Sequence, residues 1–508
     1  MSDSNIINLF MTAAQRHPDE IALIHDNDTI SYGQLLKDVQ QTAGYYKKRG
    51  IKQGDNVLVF VPMRIDLYRI VLSLFYLGAC PVFIDEWVSV DRLEQCCKVV
   101  KCDAMIADTK FLLLSWFISG LRSIRIKISG GKKQMQAFDV APVPVLPEDT
   151  ALITFTTGST GTPKAADRTH AFLRAQYDAL TPYLNDEFDP SLVTLPIVVL
   201  INLGLGKTTI LPPRRFAVKK PETVHVLKAA VKKHRAETII TSPSVLHNLV
   251  SGGDGITSLT VKKIITGGGP VLPGLAAIVT RVFPQAERIA VYGSTEAEPI
   301  SHIKFDELIA ATPERILPQG LPIGKTDPAI KIVIIPHADA PVPPQTALSW
   351  RQMQLVENSV GEIVVAGPHV LKEYVNNEEA RSRNKILVDG EVWHRTGDAG
   401  RLNEDGNLFF YGLCKEIISR NGETYYPLLV SQALRNFIPV KQAALLLLNG
   451  ELTVALESAE PINEPVLKTA LEKTGLAGAT VCYVEKIPTD PRHQTKIDYD
   501  QLLALLKK

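Results

Sequence analysis

Paired cysteines are absent from this 508-residue chain. Its six cysteines, Cys80, Cys96, Cys97, Cys102, Cys414 and Cys482, form no CxxC pair and are too sparse for a disulfide scaffold. Cys96, Cys97 and Cys102 lie close together, but no His or second Cys pair stands at ligand spacing. Buried thiols of a reducing compartment are expected, not a metal site. An excess of one charge is also missing, because 55 Lys and Arg face 54 Asp and Glu. That balance argues against a nucleic-acid field or a strongly acidic partner. Low-complexity tracts and internal repeats are lacking. The opening MSDSNIINLF has no basic segment followed by a long apolar one, so a cytoplasmic location is expected. The most apolar run, FLLLSWFISGL from Phe111 to Leu121, is shorter than the roughly 20 residues a bilayer span needs. A buried element is expected there; peripheral membrane contact through 111–127 is the alternative, since Arg122, Arg125 and Lys127 follow. No Walker loop is present either. The GKT at 206–208 lacks the required earlier glycine, that position being Ile201.

What is present is an ordinary globular balance, with 45% apolar and 21% charged residues, over a length that exceeds one core. Apolar runs alternate with helical patterns. NVLVFVP (56–62), ALITFTT (151–157), ETIITSP (237–243), KKIITGG (262–268) and RIAVYGS (288–294) read as strands covered on both faces. SYGQLLKDVQQTAGYYKKRG and PETVHVLKAAVKKHRAE read as helices. The expected fold class is α/β, with mainly parallel sheets in a large N-terminal domain, residues 1–412. From about 320 to 412 the texture becomes short strands, prolines and glycine turns, including a hairpin signal at NEDGN (403–407). Beyond it, strand and helix patterns recur through EIISRNG, YPLLVSQALRNF, AALLLLNGELTVALE and NEPVLKTALEKTG. These predict a small C-terminal α+β domain over 416–508.

One loop carries chemistry on its own residues. The strand ALITFTT runs into GSTGTPK, where Gly158 and Gly161 permit positive φ and close approach of backbone N–H groups to an anion. Thr156, Thr157, Ser159, Thr160 and Thr162 add hydroxyl donors, and Lys164 adds a charge. A phosphate is the expected guest.

Four later stretches follow in order: TGGGPVLP (266–273), VYGSTEAEPIS (291–301), HRTGDAG (394–400) and IPTDPRHQTKID (487–498). With TTGSTGTPK, this set resembles the adenylate-forming superfamily of acyl-CoA synthetases, adenylation domains and luciferases across essentially the whole chain. The resemblance implies ATP and Mg²⁺, with CoA as co-substrate. It implies that Thr156, Thr157, Gly158, Ser159, Thr160, Gly161 and Lys164 embrace the β- and γ-phosphates. Gly268, Gly269 and Pro270 would wall the adenine pocket opposite Tyr292 and Gly293. Thr295 would meet the α-phosphate, Glu296 would hold Mg²⁺, Asp398 would bind the ribose hydroxyls, and Phe410 would pack beside the nucleoside. Lys496 would reach the carboxylate and α-phosphate, and Lys415 would mark a hinge within 413–415. These residue types suit the chemistry. Attack of a carboxylate on ATP builds charge on phosphate oxygens, which calls for positioned cations rather than a covalent nucleophile.

The chain departs from that pattern in places. GLCKE (412–416) has Leu413 where the family carries arginine, and Thr495 stands where glycine precedes the late lysine. Val198, Val199 and Leu200 replace an aromatic or His gate, suiting an apolar acyl chain. YLGACPVFIDEW (76–87) and DPRHQTKID (490–498) look like a branch holding fatty-acyl synthetases and the β-lactone synthetases of olefin biosynthesis. The expected reaction is activation of a medium- or long-chain fatty acid as acyl-AMP, then transfer to CoA or a carrier protein. The alternatives are β-lactone closure of a 3-hydroxy acid without CoA, and a nucleotide- or acyl-binding protein with little turnover.

Overall fold

The computed structural model describes residues 4–84, 89–131, 140–156, 163–251, 260–489 and 496–507. Two large sheets organise most of the chain. The first has six strands, ordered Ile126–Ser129, Ala104–Ala107, Asn56–Phe60, Cys80–Phe83, Thr150–Thr156 and Lys164–Thr169. The first five are parallel and the last is antiparallel to its neighbour. Their apolar runs are buried on both faces; Ala104–Ala107, for example, is buried at every residue.

The second sheet has fourteen strands. Its parallel part comprises Ile21–His25, Thr209–Ile210, Ser191–Val193, Thr238–Thr241, Lys263–Gly267 and Glu287–Ser294. There the chain turns back as Ala297–Lys304, and pairing becomes antiparallel through Leu321–Thr326, Asn407–Leu413, Glu391–Leu402, Gly361–Ala366 and Lys331–Ile335. The short strands of 320–412 therefore extend the parallel sheet and do not form a sheet of their own. Close backbone approach makes this continuity: Gly324 has φ +83°, and a Cβ there would overlap the His302 carbonyl of the adjoining strand. The NEDGN turn joins Glu391–Leu402 to Asn407–Leu413, with Gly406 at φ +75°.

After the 3₁₀ turn Cys414–Glu416, a three-stranded sheet forms from Gln442–Leu448, Glu451–Glu457 and Thr480–Val484. Strand alternation serves both of its faces. Ala443, Leu445, Val454 and Leu456 meet helices Pro427–Phe437 and Glu464–Lys473, whereas Ala444, Leu446 and Ala455 meet Ile487 and Leu502 of helix Tyr499–Leu506. The whole is an α/β fold, with a large N-terminal domain followed by a small C-terminal one.

Three sequence readings meet their outcome here. Lys207, within the GKT decoy, is buried and ion-paired with Asp186 at 2.9 Å, after a helix that closes at Gly206 with φ +79°. The thiols of Cys97 and Cys102 are pushed up to about 11 and about 12 by burial, as expected of inert cysteines. The apolar run Phe111–Leu121, expected to be buried, is not. Phe111 stacks on Phe60 at 3.7 Å, and Ser115 and Leu121 are buried, but no residue of the six-residue helix Thr109–Leu114 is buried. Leu113, Leu114, Trp116 and Phe117 consequently face outward.

Candidate active site

The antiparallel pairing of Thr150–Thr156 with Lys164–Thr169 sets Thr156 opposite Lys164. The hydroxyl–glycine residues Thr157 to Gly161 lie outside the described residues. Lys164 ends the loop half-buried, its Nζ donating to Asn384 Oδ1 at 3.2 Å and lying 5.9 Å from the Tyr374 ring centroid. Burial lowers its pKa, and the Glu296 carboxylate opposes that shift.

Glu296 sits in the tight reversal between Glu287–Ser294 and Ala297–Lys304. Gly293 makes this turn sterically accessible, since a Cβ there would meet the Ala297 carbonyl at 2.7 Å. The register slips between Tyr292 and Ser294, a bulge that re-aims the following residues. Two contacts clamp the turn. Arg168 Nη2 donates to the Thr295 carbonyl at 3.0 Å, and the Leu371 amide donates to the Glu296 carbonyl at 2.7 Å. The Glu296 carboxylate accepts from Tyr374 Oη at 3.2 Å.

Lys385 completes this group. Its buried Nζ lies 5.2 Å from the Tyr374 ring centroid and donates to the Leu371 carbonyl. Burial depresses its pKa to about 7, against the pull of Glu296 and Glu373. Two ammonium groups thus flank one tyrosine whose hydroxyl holds Glu296. Among the described residues, a clustered His/Cys/Asp/Glu ligand set occurs only at His337, Glu362 and Cys414. There Glu362 is already tied to Arg395 at 2.6 Å. Glu296, outside any such cluster among the described residues, presents its carboxylate beside Tyr374. This fits Mg²⁺, which is commonly held by one or two carboxylates with the remaining ligands from water and substrate phosphates.

A second cluster gathers around Asp398. Tyr292 Oη donates to Asp398 Oδ2 at 2.5 Å, and the Tyr292 and Phe410 rings lie 6.0 Å apart. Thr396 Oγ1 accepts the Asp398 amide at 3.1 Å while donating to the Ile363 carbonyl at 2.8 Å, which fixes the turn of TGD. The Gly397 amide donates to Glu362 Oε1 at 3.2 Å. Burial pushes the Asp398 carboxyl up to about 6, opposed by the Tyr292 hydroxyl and the Lys496 ammonium. Lys496, though exposed, also acts with Lys415 on Glu416, which burial pushes up to about 7. The small domain thus brings its late lysine within electrostatic reach of Asp398, and Glu296 adds its own field to the same carboxyl.

Of the residues expected from sequence, the structure joins Tyr292, Asp398, Phe410 and Lys496 in one cluster and Lys164 with Glu296 in another. Thr295 contributes a backbone carbonyl to the clamp. Gly268, at φ +83° with open space around it, starts a turn with Gly269 and Pro270 after strand Lys263–Gly267. Lys415 lies exposed in the 3₁₀ turn Cys414–Glu416. Val198 and Val199 pack into the main core and Leu200 lies against it. Tyr374 and Lys385 were missed. The adjoining Asn377 is a readable helix cap, accepting from the Ala380 amide at 2.9 Å, and its Nδ2 donates to the Pro163 carbonyl at 3.2 Å. That cap signal marks a helix start, not its proximity to the phosphate loop.

Comparison with known proteins bears on the chain as a whole. The family profile described as AMP-binding enzyme matches residues 10–375. The olefin β-lactone synthetase of Stenotrophomonas maltophilia is 28% identical, over 93% of this chain and 90% of its own. The 2-succinylbenzoate–CoA ligase of Bacillus subtilis is 25% identical, over 86% and 84%. Among solved structures, the amide bond synthetase McbA from Marinactinospora thermotolerans superposes with a TM-score of 0.81 at 19% identity, covering 99% of both chains. The O-succinylbenzoate coenzyme A synthetase MenE from Bacillus subtilis, in complex with AMP, gives 0.79 at 20% identity, covering 97% of this chain and 98% of that one. The chain belongs to the AMP-binding enzyme family and is an adenylate-forming enzyme that activates a carboxylic acid with ATP.

Proposed function

We propose that this enzyme activates a medium- or long-chain fatty acid as acyl-AMP, with Lys164, Glu296, Asp398 and Lys496 in the reacting shell. The observation that carries the reading is the convergence of Lys496 and Asp398, from distant parts of the chain, beside a second cluster in which Glu296 is held by Tyr374. Asp398 would accept hydrogen bonds from a ribose diol, with Tyr292 and Phe410 packing the nucleoside. Lys164 and the adjoining loop would hold the leaving phosphates. Mg²⁺ on Glu296 would neutralise charge on the phosphate oxygens. Lys496 would offset charge on the attacking carboxylate and α-phosphate, and the 413–415 segment with Lys415 would act as the hinge that presents it. Leu413 stands where the family resemblance implies an arginine, so Asp398 and Tyr292 would carry the ribose contact.

Two fates for the acyl-AMP have support. Transfer to CoA or a carrier thiol is supported by the relatives named CoA ligases. Closure by the substrate's own 3-hydroxyl is supported by two relatives named olefin β-lactone synthetases, which match 93% and 80% of this chain. One experiment separates them. A 3-hydroxy fatty acid is incubated with ATP and Mg²⁺, with and without CoA, and the products are read by mass spectrometry. A lactone with AMP in the absence of CoA selects closure, and an acyl-CoA formed only with CoA selects transfer. Absence of AMP from every acid tested would overturn the activation reading itself.

A further inference from the structure

We propose that the segment from Thr109 to Lys127 is a lipid-contact surface that seats the protein on an anionic bilayer. Leu113, Leu114, Trp116 and Phe117 are exposed by 64%, 57%, 60% and 89%. Every other exposed large apolar side chain among the described residues stands singly in the sequence, so this is the one contiguous run. The run is held in place from beneath. Ser115 is buried, donating to the Leu112 carbonyl at 2.7 Å and accepting from Lys127 Nζ at 3.1 Å, while Phe111 stacks on Phe60. The apolar side chains are thus presented by an anchored turn.

Charge complementarity identifies the occupant. No Asp or Glu occurs from Thr109 to Phe138, a stretch holding Lys110, Arg122, Arg125, Lys127, Lys132 and Lys133, although the chain as a whole carries only +1. Lys110, Arg122 and Arg125 are exposed, and the Lys127 ammonium lies 4.2 Å from the Trp116 ring centroid. Two acids approach the segment, one neutralised by an arginine and the other a single charge hydrogen-bonded to Ser119. Asp108 pairs with Arg64 at 2.5 Å, and Glu94 accepts from the Ser119 amide and hydroxyl at 3.1 and 2.7 Å. Exposed tryptophan, phenylalanine and leucine in a segment rich in exposed cations suit the boundary between acyl chains and anionic headgroups.

The location gives this contact a consequence. The turn follows strand Ala104–Ala107, which runs parallel to Thr150–Thr156 three strand spacings away, roughly 14 Å. Both chains leave the sheet at the same edge, one into the lipid-contact turn and the other into the phosphate loop. Seating the turn on a bilayer therefore brings the catalytic edge toward the membrane, where apolar acids partition. The inference stands on exposure and charge, whichever acid the enzyme uses.

The test is flotation of the full chain with vesicles of phosphatidylcholine alone or mixed with phosphatidylglycerol. The wild type is expected to float with phosphatidylglycerol vesicles at low salt and to be released as salt rises. The Leu113→Ser/Phe117→Ser double variant is expected to lose about tenfold or more in partitioning. Arg122→Glu/Arg125→Glu is expected to abolish the preference for phosphatidylglycerol. All four positions are exposed, so thermal midpoints should stay within a few degrees of wild type. Absence of wild-type flotation, or variants that float as the wild type does, would overturn the proposal. A wild-type dimer that Phe117→Ser converts to a monomer would also overturn it, assigning the turn to a second copy of this chain.

Discussion

Replacing Asp398 with asparagine should make the protein more stable and less able to bind nucleotide. The Asp398 carboxyl is pushed from 3.8 to about 6, chiefly by burial. The folded chain therefore takes up a proton that the unfolded chain has already lost over that interval. As pH rises from 3.8 through 6, this group's contribution to stability falls, and above 6 it stays at the lower level. A shift of that size corresponds to about 3 kcal/mol. Asp398 keeps a partly exposed edge, where solvent screens the cost, so about 1–2 kcal/mol is the figure to look for. Asparagine cannot ionise, yet its Oδ1 still accepts from Tyr292. Urea titration should show Asp398→Asn more stable than wild type by about 1–2 kcal/mol at pH 8, with the gain shrinking by roughly half at pH 5. Calorimetry with AMP at pH 8 should show binding weakened about tenfold, because a neutral amide offers one accepting oxygen to a diol. A variant no more stable than wild type at pH 8, or one equally stabilised at both pH values, would refute the reasoning.

Tyr292→Phe should act on the same carboxyl in the opposite sense. Losing a hydrogen bond to a charged group, worth about 1.5–3 kcal/mol, should move the acid limb of AMP binding up by about one to two pH units, read by calorimetry across pH. In the wild type that limb should lie near 6, with affinity falling as pH drops through it. Gly324→Ala forces a Cβ onto the His302 carbonyl at a positive φ and should cost about 2–4 kcal/mol in urea titration. Arg168→Met frees the Thr295 carbonyl from its clamp and should raise the half-saturating Mg²⁺ concentration in a pyrophosphate-release assay, with full nucleotide saturation still reached.

The sequence carried some of this architecture and not the rest, and locality separates the two. The strands Asn56–Phe60 and Lys263–Gly267 have apolar centres, so the burial of those centres follows from composition. Tyr292, Asp398 and Lys496 were singled out because YGSTE, TGD and the late lysine occur together and in order, although none of them is distinctive alone. Tyr374 meets Glu296 across 78 positions and sits in a stretch, KEYVNN, that carries no chemistry of its own. Lys385 looks like any surface lysine after a helix; only burial beside Tyr374 changes its character. The run at Phe111–Leu121 failed in the other direction. Apolar composition suggested a core element, but only Phe111, Leu112, Ile118 and Leu121 pack onto the core, while Leu113, Leu114, Trp116 and Phe117 stay exposed. The junction of the short-strand region with the parallel sheet was equally hidden, because Gly324 reads locally as a turn residue.

Pyrophosphate exchange into ATP, measured with a panel of carboxylic acids from short to long chain, tests the central claim most directly when wild type and Lys496→Ala are run side by side. The account predicts acid-dependent exchange, strongest with apolar acids, and its loss in Lys496→Ala while ATP still binds. Exchange with no acid in the wild type, or undiminished exchange in Lys496→Ala, would contradict it.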